Sequence, residues 1–198
     1  MHATVASVPP CPVGLAPFLV SADCRTLTAM DDLIKPDDRT QPPGRGDERS
    51  TLAGFLALNR ETVVMKAQGL SDADAARRLL PSLTTVSGII RHLADVERSW
   101  FLEFMDGQDY ARRYGGDEDP DGEFRVTAAD SLEEIIADYR ASWAESDTVI
   151  ARLGLDDVPS RPDAPSLRWI LAHMIEETAR HLGHIDILRE QLDGVTGE

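Results

Sequence analysis

Four long stretches of the chain space their apolar residues three or four positions apart, and this repeat constrains the fold more than any other feature. They run from Glu48 to Gly69, Thr85 to Gly107, Ser131 to Leu153 and Ser166 to Leu192. Such spacing puts the apolar side chains on one face of an α-helix. The alternating pattern typical of β-strands does not occur in the sequence. We therefore predict an all-α fold, with a four-helix bundle as its simplest architecture.

The segments between these stretches carry turn signals. A short helix is predicted from Ser71 to Leu80, since SDAD resembles a helix start and Pro81 ends the pattern. Residues 108–130 include GGDEDPDG, which is too polar and too broken for a regular element. This stretch predicts a long surface crossover between the second and third long helices.

The first 46 residues differ from the rest in composition. They hold seven of the twelve prolines and show no sustained periodicity. We expect residues 1–46 to form a disordered or extended segment and residues 47–194 to form the bundle domain. Met30 begins MDDLIKPDD and offers an alternative start. The apolar patch near residue 1 is interrupted by prolines and preceded by no Lys or Arg, so a signal peptide is not expected.

Charge and cysteine usage narrow the function classes. A net charge of −15 repels phosphate backbones and anionic lipid, which argues against nucleic acid and acidic membranes as partners. The longest apolar runs are far short of the ~20 residues that span a bilayer. Both cysteines, Cys11 and Cys24, precede the bundle, so no thiol of the domain itself is available for catalysis. We expect a cytoplasmic protein, either a monomer or a homodimer.

The last helix carries an unusual polar cluster, EETARHLGH. At 100° per residue, His181 falls in the middle of the sector that holds the apolar side chains of this helix. Glu177 lies one turn before His181 and His184 one turn after it, while His173 lies further toward the edge of that sector. A buried carboxylate needs a proton, a cation or a metal, because burying it alone costs several kcal/mol.

A glutamate and a histidine four positions apart point their ligand atoms at one place, as helix-borne zinc ligands do. The only other histidine in the predicted bundle is His92, on the flank of the second long helix. His92, Glu177 and His181 would form a His₂Glu set with a fourth position open for water or substrate. The alternative is an ordinary core histidine that bonds a neighbour. His173 and His184 are candidates for residues that orient the ligands.

Glu97 also lies within an apolar stripe, that of the second long helix. We favour a structural ion pair with an arginine, such as Arg60 or Arg168, over a catalytic role.

Three motifs, TLAGFLALNRETV, HLADVERSWF and SLRWILAHMIEETARHLGHIDILREQLDG, make the run from about Asp47 to Gly194 resemble the DinB-like metalloprotein superfamily. Most members use three histidines, the last two spaced HxxxH. Here Glu177 replaces the first of that pair, which is similar to the mycothiol-dependent branch with its His-Glu-His zinc set. That branch includes mycothiol S-transferases and maleylpyruvate isomerase.

The resemblance implies a DinB-like four-helix bundle that holds a divalent metal, with zinc the first candidate, at His92, Glu177 and His181. It further implies mycothiol as cosubstrate, whose thiol the metal would activate for attack on an electrophilic small molecule. The residues leave other functions open: a non-catalytic metal-binding bundle, a thiol-dependent isomerase, or a metal-assisted hydrolase that uses zinc-bound water.

Overall fold

The computed structural model describes residues 39–116, 118–159 and 164–196, and the regular secondary structure within these ranges is entirely helical. These residues contain no β-strand, which confirms the predicted all-α class. The elements in chain order are α1 (Glu48–Ala67), α2 (Asp72–Ala75), α3 (Val86–Arg98), a π-helical segment (Ser99–Met105), a 3₁₀ turn (Gly122–Phe124), α4 (Leu132–Arg152) and α5 (Leu167–Asp193).

The four long helices begin at side chains that satisfy their first free N–H groups. Asp47, Thr85, Ser131 and Ser166 each accept a hydrogen bond from the backbone N–H three residues on. Such caps are typical of helix starts because the first-turn amides have no partner within the helix. At the other end of α5, Gly194 has a φ of 75°, a left-handed conformation that favours glycine.

The helices pack as two parallel pairs. Asn59 of α1 donates to the carbonyl of Ile175 in α5 at 3.0 Å, and Arg189, further along α5, reaches the carbonyl of Gln68 just after α1 at 2.9 Å. The two helices therefore run in the same direction.

The second parallel pair is α3 with α4. Arg91 pairs with Asp130, immediately before α4, while Arg98 pairs with Asp138 at 2.8 Å and with Glu145 at 2.6 Å. Two consecutive parallel helices need a connection that returns along the whole length of the bundle. Residues 106–116 and 118–131 make this return, so the predicted long crossover is confirmed.

The core consists of two apolar clusters with a polar layer between them. One cluster includes Leu93 and Ile185, and the other includes Phe101 and Met174. Between them along their helices lie the buried polar residues Arg60, Glu97, Ser142, Ser146 and Thr178. The bundle thus encloses charge at its centre, and this charge must be neutralised locally.

The predicted ion pair of Glu97 is confirmed, with Arg60 as its partner. The guanidinium of Arg60 donates to both carboxylate oxygens at 2.6 and 2.7 Å, and a third bond reaches Asp147 at 2.9 Å. The side chains of Arg60 and Glu97 are 4 % and 0 % exposed. Arg168, the other candidate, instead pairs with Glu48 and Asp156 near the surface.

Three features differ from the sequence prediction. The short helix covers only Asp72–Ala75, and its Asp72 side chain accepts from the backbone N–H of Leu132. The helix predicted to reach Gly107 changes to π-helical geometry after Arg98. The crossover contains a 3₁₀ turn, Gly122–Phe124, that packs on α3 and buries Glu123. The sequence correctly placed this turn outside the long helices, but it did not predict that part of the crossover would be buried.

Most of the predicted N-terminal segment lies outside the described residues, which begin at Arg39. From there the chain contacts α1: Arg39 donates to the hydroxyl of Thr62 at 2.7 Å, and the backbone N–H of Thr40 donates to Glu61 at 3.0 Å. The division into residues 1–46 and 47–194 stays a prediction. Among the described residues, no helix combines the length and the apolar character needed to cross a bilayer.

Candidate metal centre

Two antiparallel helices bring the predicted ligands together. His92 lies on α3, and Glu177 and His181 lie one turn apart on α5. Oε1 of Glu177 is 3.1 Å from Nε2 of His92 and 3.2 Å from Nε2 of His181. One ligand atom from each residue falls within 4.8 Å of the other two. The three side chains are 14–20 % exposed, so they form a recessed group that solvent still reaches.

The chemistry and spacing of these donors fit a small divalent metal. Ligands about 2.0–2.2 Å from a tetrahedral zinc are about 3.3–3.6 Å from each other. The two separations from Oε1 of Glu177, 3.1 and 3.2 Å, are slightly shorter than that range. Three protein donors, two of them imidazoles and one a carboxylate, also match the composition of zinc sites that keep one position open.

The outward-facing nitrogens of both histidines have partners of their own. Nδ1 of His92 is 2.8 Å from Oε1 of Glu123, and Nδ1 of His181 is 3.4 Å from Nδ1 of His184. A partner on Nδ1 fixes the ring tautomer and aims Nε2 at the shared point. His184 was a sequence candidate for such a role, whereas Glu123 was missed because it lies in the polar crossover.

The pKa values of the three residues are shifted in different directions. Burial disfavours a charged His92, but hydrogen bonds and charge from Glu123 and Glu177 outweigh it and raise the pKa of His92. Burial and the neighbouring His92 lower the pKa of His181. Burial opposes ionisation of Glu177, yet the two histidines hold its pKa below the usual value. The shifts favour the unprotonated forms of Glu177 and His181, whereas that of His92 favours the protonated form, which cannot bind a metal through Nε2.

The buried carboxylate of Asp95 holds the crossover against α3, and this contact places Glu123 beside His92. Asp95, one turn after His92, accepts from the hydroxyl of Tyr110 at 2.5 Å and from the backbone N–H groups of Arg113 and Tyr114 at 3.3 and 3.2 Å. The 3₁₀ turn then places the ring of Phe124 against His92, with 5.5 Å between centroids.

Gly88 makes this approach possible. It lies one turn before His92 on α3, and a Cβ at this position would be 3.1 Å from the Phe124 ring and 3.2 Å from its Cα. A side chain at this position would require the turn to move away from the helix by a few tenths of an ångström.

Two cavities adjoin the group. One, of about 240 Å³, is lined by polar side chains, namely His92, Asp95, Ser99, Arg112 and Glu123, together with Val96 and Trp100. The other, of about 210 Å³, is lined by His181, His184 and Phe124 together with aliphatic side chains. The turn Gly122–Phe124 thus contributes Glu123 to one cavity and Phe124 to the other.

His173 lies in an aromatic group instead of against the ligands. Its ring stacks on Trp169, with centroids 5.1 Å apart and an angle of 17°, and meets the edge of Trp100 at 5.0 Å. A role for His173 in orienting a ligand stays a prediction.

Comparison with known proteins identifies a family and a solved structure with a similar fold. The family model described as Mycothiol-S-transferase matches residues 51–194. A solved structure titled "Crystal structure of the conserved protein of locus from Enterococcus faecalis" is similar with a TM-score of 0.56 and 17% identity, covering 76% of this chain and 100% of that one. At this identity the likeness shows the fold alone. No curated protein matches the chain significantly.

Proposed function

Because the chain belongs to the mycothiol-S-transferase family, whose model matches residues 51–194, we propose that it transfers the thiol of mycothiol to an electrophilic small molecule at the group formed by His92, Glu177 and His181. A divalent metal, with zinc the first candidate, would be held by these three residues. The convergence of their ligand atoms within 4.8 Å is the observation that carries the proposal.

When bound, the metal supplies positive charge that lowers the pKa of a thiol and favours the nucleophilic thiolate. The sulfur comes from the cosubstrate, since residues 39–198 contain no cysteine. In the reaction the thiolate sulfur forms a bond to an electrophilic carbon. A leaving group then departs with its electron pair, or, where sulfur adds to a double bond, the neighbouring carbon takes up a proton.

The chain's own residues prepare the site for this step. Glu123 accepts from Nδ1–H of His92 once Nε2 is deprotonated, which aims Nε2 at the metal position. Glu177 contributes the single negative charge of the ligand set, so zinc would keep a net positive charge to attract a thiolate. Phe124 covers one face of the His92 ring and restricts the water that reaches it.

Metal content and thiol transfer, measured on the same protein samples, test the proposal. We expect one equivalent of metal per chain in the wild type and none in Glu177→Ala, together with loss of catalysed mycothiol consumption. Glu176→Ala is the matched control, because Glu176 is the exposed neighbour on the same helix. Wild-type protein that contains no metal when purified and takes up none on reconstitution would overturn the proposal.

Product analysis separates transfer from the related isomerase reaction. A transferase consumes one thiol for each molecule of electrophile, whereas an isomerase releases the thiol unchanged after each turnover. Turnover of an ester or amide panel without any thiol would instead indicate metal-assisted hydrolysis.

A further inference from the structure

The smaller cavity beside the histidines differs in chemistry from the polar one. No Asp, Glu, Lys or Arg is among its lining residues, although the chain as a whole carries a net charge of −15. The cavity is lined by Leu80, Thr84, Phe124, His181, His184, Ile187 and Leu188.

Two of these walls are large aliphatic side chains left open to solvent. Ile187 is 55% exposed and Leu80 is 41% exposed. Ile187 lies on α5 six positions after His181, and Leu80 precedes α3 in a separate segment of the chain. Apolar side chains from two distant segments therefore face one space, and a ligand that filled it would remove their surfaces from water.

The position of the cavity limits what that ligand can be. His181 is both a wall of the cavity and 3.2 Å from Oε1 of Glu177, so an occupant lies directly beside the proposed metal position. The polar cavity contacts the same group through His92 and Glu123. A reaction between two molecules needs space for each of them beside the reacting atoms. The two cavities adjoin different histidines of the same group, and one is apolar whereas the other carries charged side chains.

We infer that the apolar cavity binds the electrophile, and that the preferred electrophile is a compact, uncharged molecule with an apolar or aromatic body. This inference rests on the proposed thiol transfer. A volume of about 210 Å³ is below the roughly 300–1,000 Å³ typical of pockets for drug-sized ligands. The hydroxyl-rich or charged part of the reaction partner is left to the polar cavity, where the guanidinium of Arg112 and the hydroxyl of Ser99 offer hydrogen bonds.

For an aryl chloride the step balances without a further reactant. The thiolate sulfur forms a bond to the ring carbon that carries chlorine, and chloride leaves with the electron pair of the broken bond. The proton that the thiol lost beforehand goes to solvent.

The test compares two electrophiles, 1-chloro-2,4-dinitrobenzene and the small polar iodoacetamide, each with mycothiol. In Ile187→Asp we expect KM for the aryl chloride to rise about tenfold or more, with the rate toward iodoacetamide within twofold of wild type. Val158→Asp introduces the same change at an exposed aliphatic residue outside the cavity and should alter neither. The neutral Ile187→Ser should show the same selectivity in smaller degree, which separates lost apolar contact from added charge.

A binding measurement separates failure of this inference from failure of the proposed function. Unreactive 1,3-dinitrobenzene, titrated without thiol and followed by ligand-observed NMR, should bind the wild type and Val158→Asp but bind Ile187→Asp at least tenfold more weakly. If the wild type transfers thiol while Ile187→Asp leaves the aryl chloride KM unchanged, the inference is overturned and the proposed function stands. If dinitrobenzene binds as expected but no electrophile is turned over, the cavity binds apolar molecules and the transferase function is overturned.

Discussion

Two glutamates on the inward faces of neighbouring helices have opposite surroundings. Glu97 is fully buried, and both its carboxylate oxygens accept from the guanidinium of Arg60. Glu177 is recessed but 15% exposed, and its nearest partners across the bundle and along its own helix are His92 and His181. A guanidinium keeps its charge at every relevant pH, whereas an imidazole can lose its proton and become a metal ligand.

The two carboxylates differ in whether a buried guanidinium occupies both of their oxygens. The charge of Glu97 is permanently balanced and its hydrogen-bonding oxygens are occupied, so nothing further can bind there. Glu177 has no such buried pair: its closest neighbours are the two imidazoles, and the guanidinium of Arg180, half exposed on the same helix, is 3.9 Å from Oε2. Two cavities adjoin the group, and a divalent cation there would balance the charge of Glu177 without any proton.

The largest effect expected from this contrast is on stability. Glu97→Ala should lower the free energy of unfolding by about 3–5 kcal/mol, because it leaves the Arg60 guanidinium buried beside no carboxylate except Asp147. Urea unfolding of metal-free protein measures it. Glu190→Ala, at an exposed position on α5, should change stability by less than about 0.5 kcal/mol. A loss below about 1 kcal/mol in Glu97→Ala would contradict the structural role.

Glu177 should respond to metal instead. We expect zinc at 100 times its Kd to raise the unfolding free energy of the wild type by about 2.7 kcal/mol, since the metal binds the folded state. The increase should be absent in Glu177→Ala, whose metal-free stability should stay within about 1 kcal/mol of wild type. Equal stabilisation of both proteins by zinc would place the metal elsewhere.

The outer partner of His92 should have a smaller effect on the same site. Glu123→Gln removes the carboxylate that fixes Nδ1 of His92, and it should weaken metal affinity by about 10–100-fold, as loss of such partners does elsewhere. Competition with a chromophoric chelator measures this. Glu118→Gln, an exposed residue of the same crossover, serves as the control and should leave the affinity unchanged.

The smallest expected effect on the free energy of unfolding comes from Asp138, a carboxylate that is paired with the guanidinium of Arg98. Burial opposes ionisation of Asp138, but hydrogen bonds and charge from Arg98 hold its pKa below the ordinary value. The folded pKa is therefore lower than the unfolded one, so this stabilisation is present above about pH 4 and is lost as the pH falls through the folded pKa. Asp138→Asn should reduce stability by about 1 kcal/mol at pH 7, and less at pH 3. A difference from wild type that is the same at both pH values would contradict this account.

Much of the fold follows from local rules that act over one or two helical turns. The apolar spacing predicted four long helices near their observed bounds, and the ion pair of Glu97 followed from a charge placed within an apolar stripe. The resemblance carried by the three motifs is confirmed by the family match over residues 51–194. His92, Glu177 and His181 were chosen from the sequence, and the structure brings their ligand atoms together.

The contact of Glu123 with His92 could not be predicted from the sequence. Glu123 lies in a polar stretch without periodicity, and its contact with His92 depends on how Asp95 holds the crossover against α3. One local signal was present: Gly122 and Phe124 interrupt an otherwise acidic run, and a lone aromatic in such a loop often packs inward.

The sequence by itself determined the helices and the inward direction of Glu177 and His181, because both depend on a periodicity of 3.6 residues within one segment. Only the tertiary structure decided which carboxylate receives a permanent cation and which receives histidines, since that depends on where α1 and α3 lie against α5. It also decided that a polar and an apolar cavity adjoin the same three residues. The residues that line these cavities come from segments far apart in the chain, and local sequence patterns do not predict which distant segments pack together.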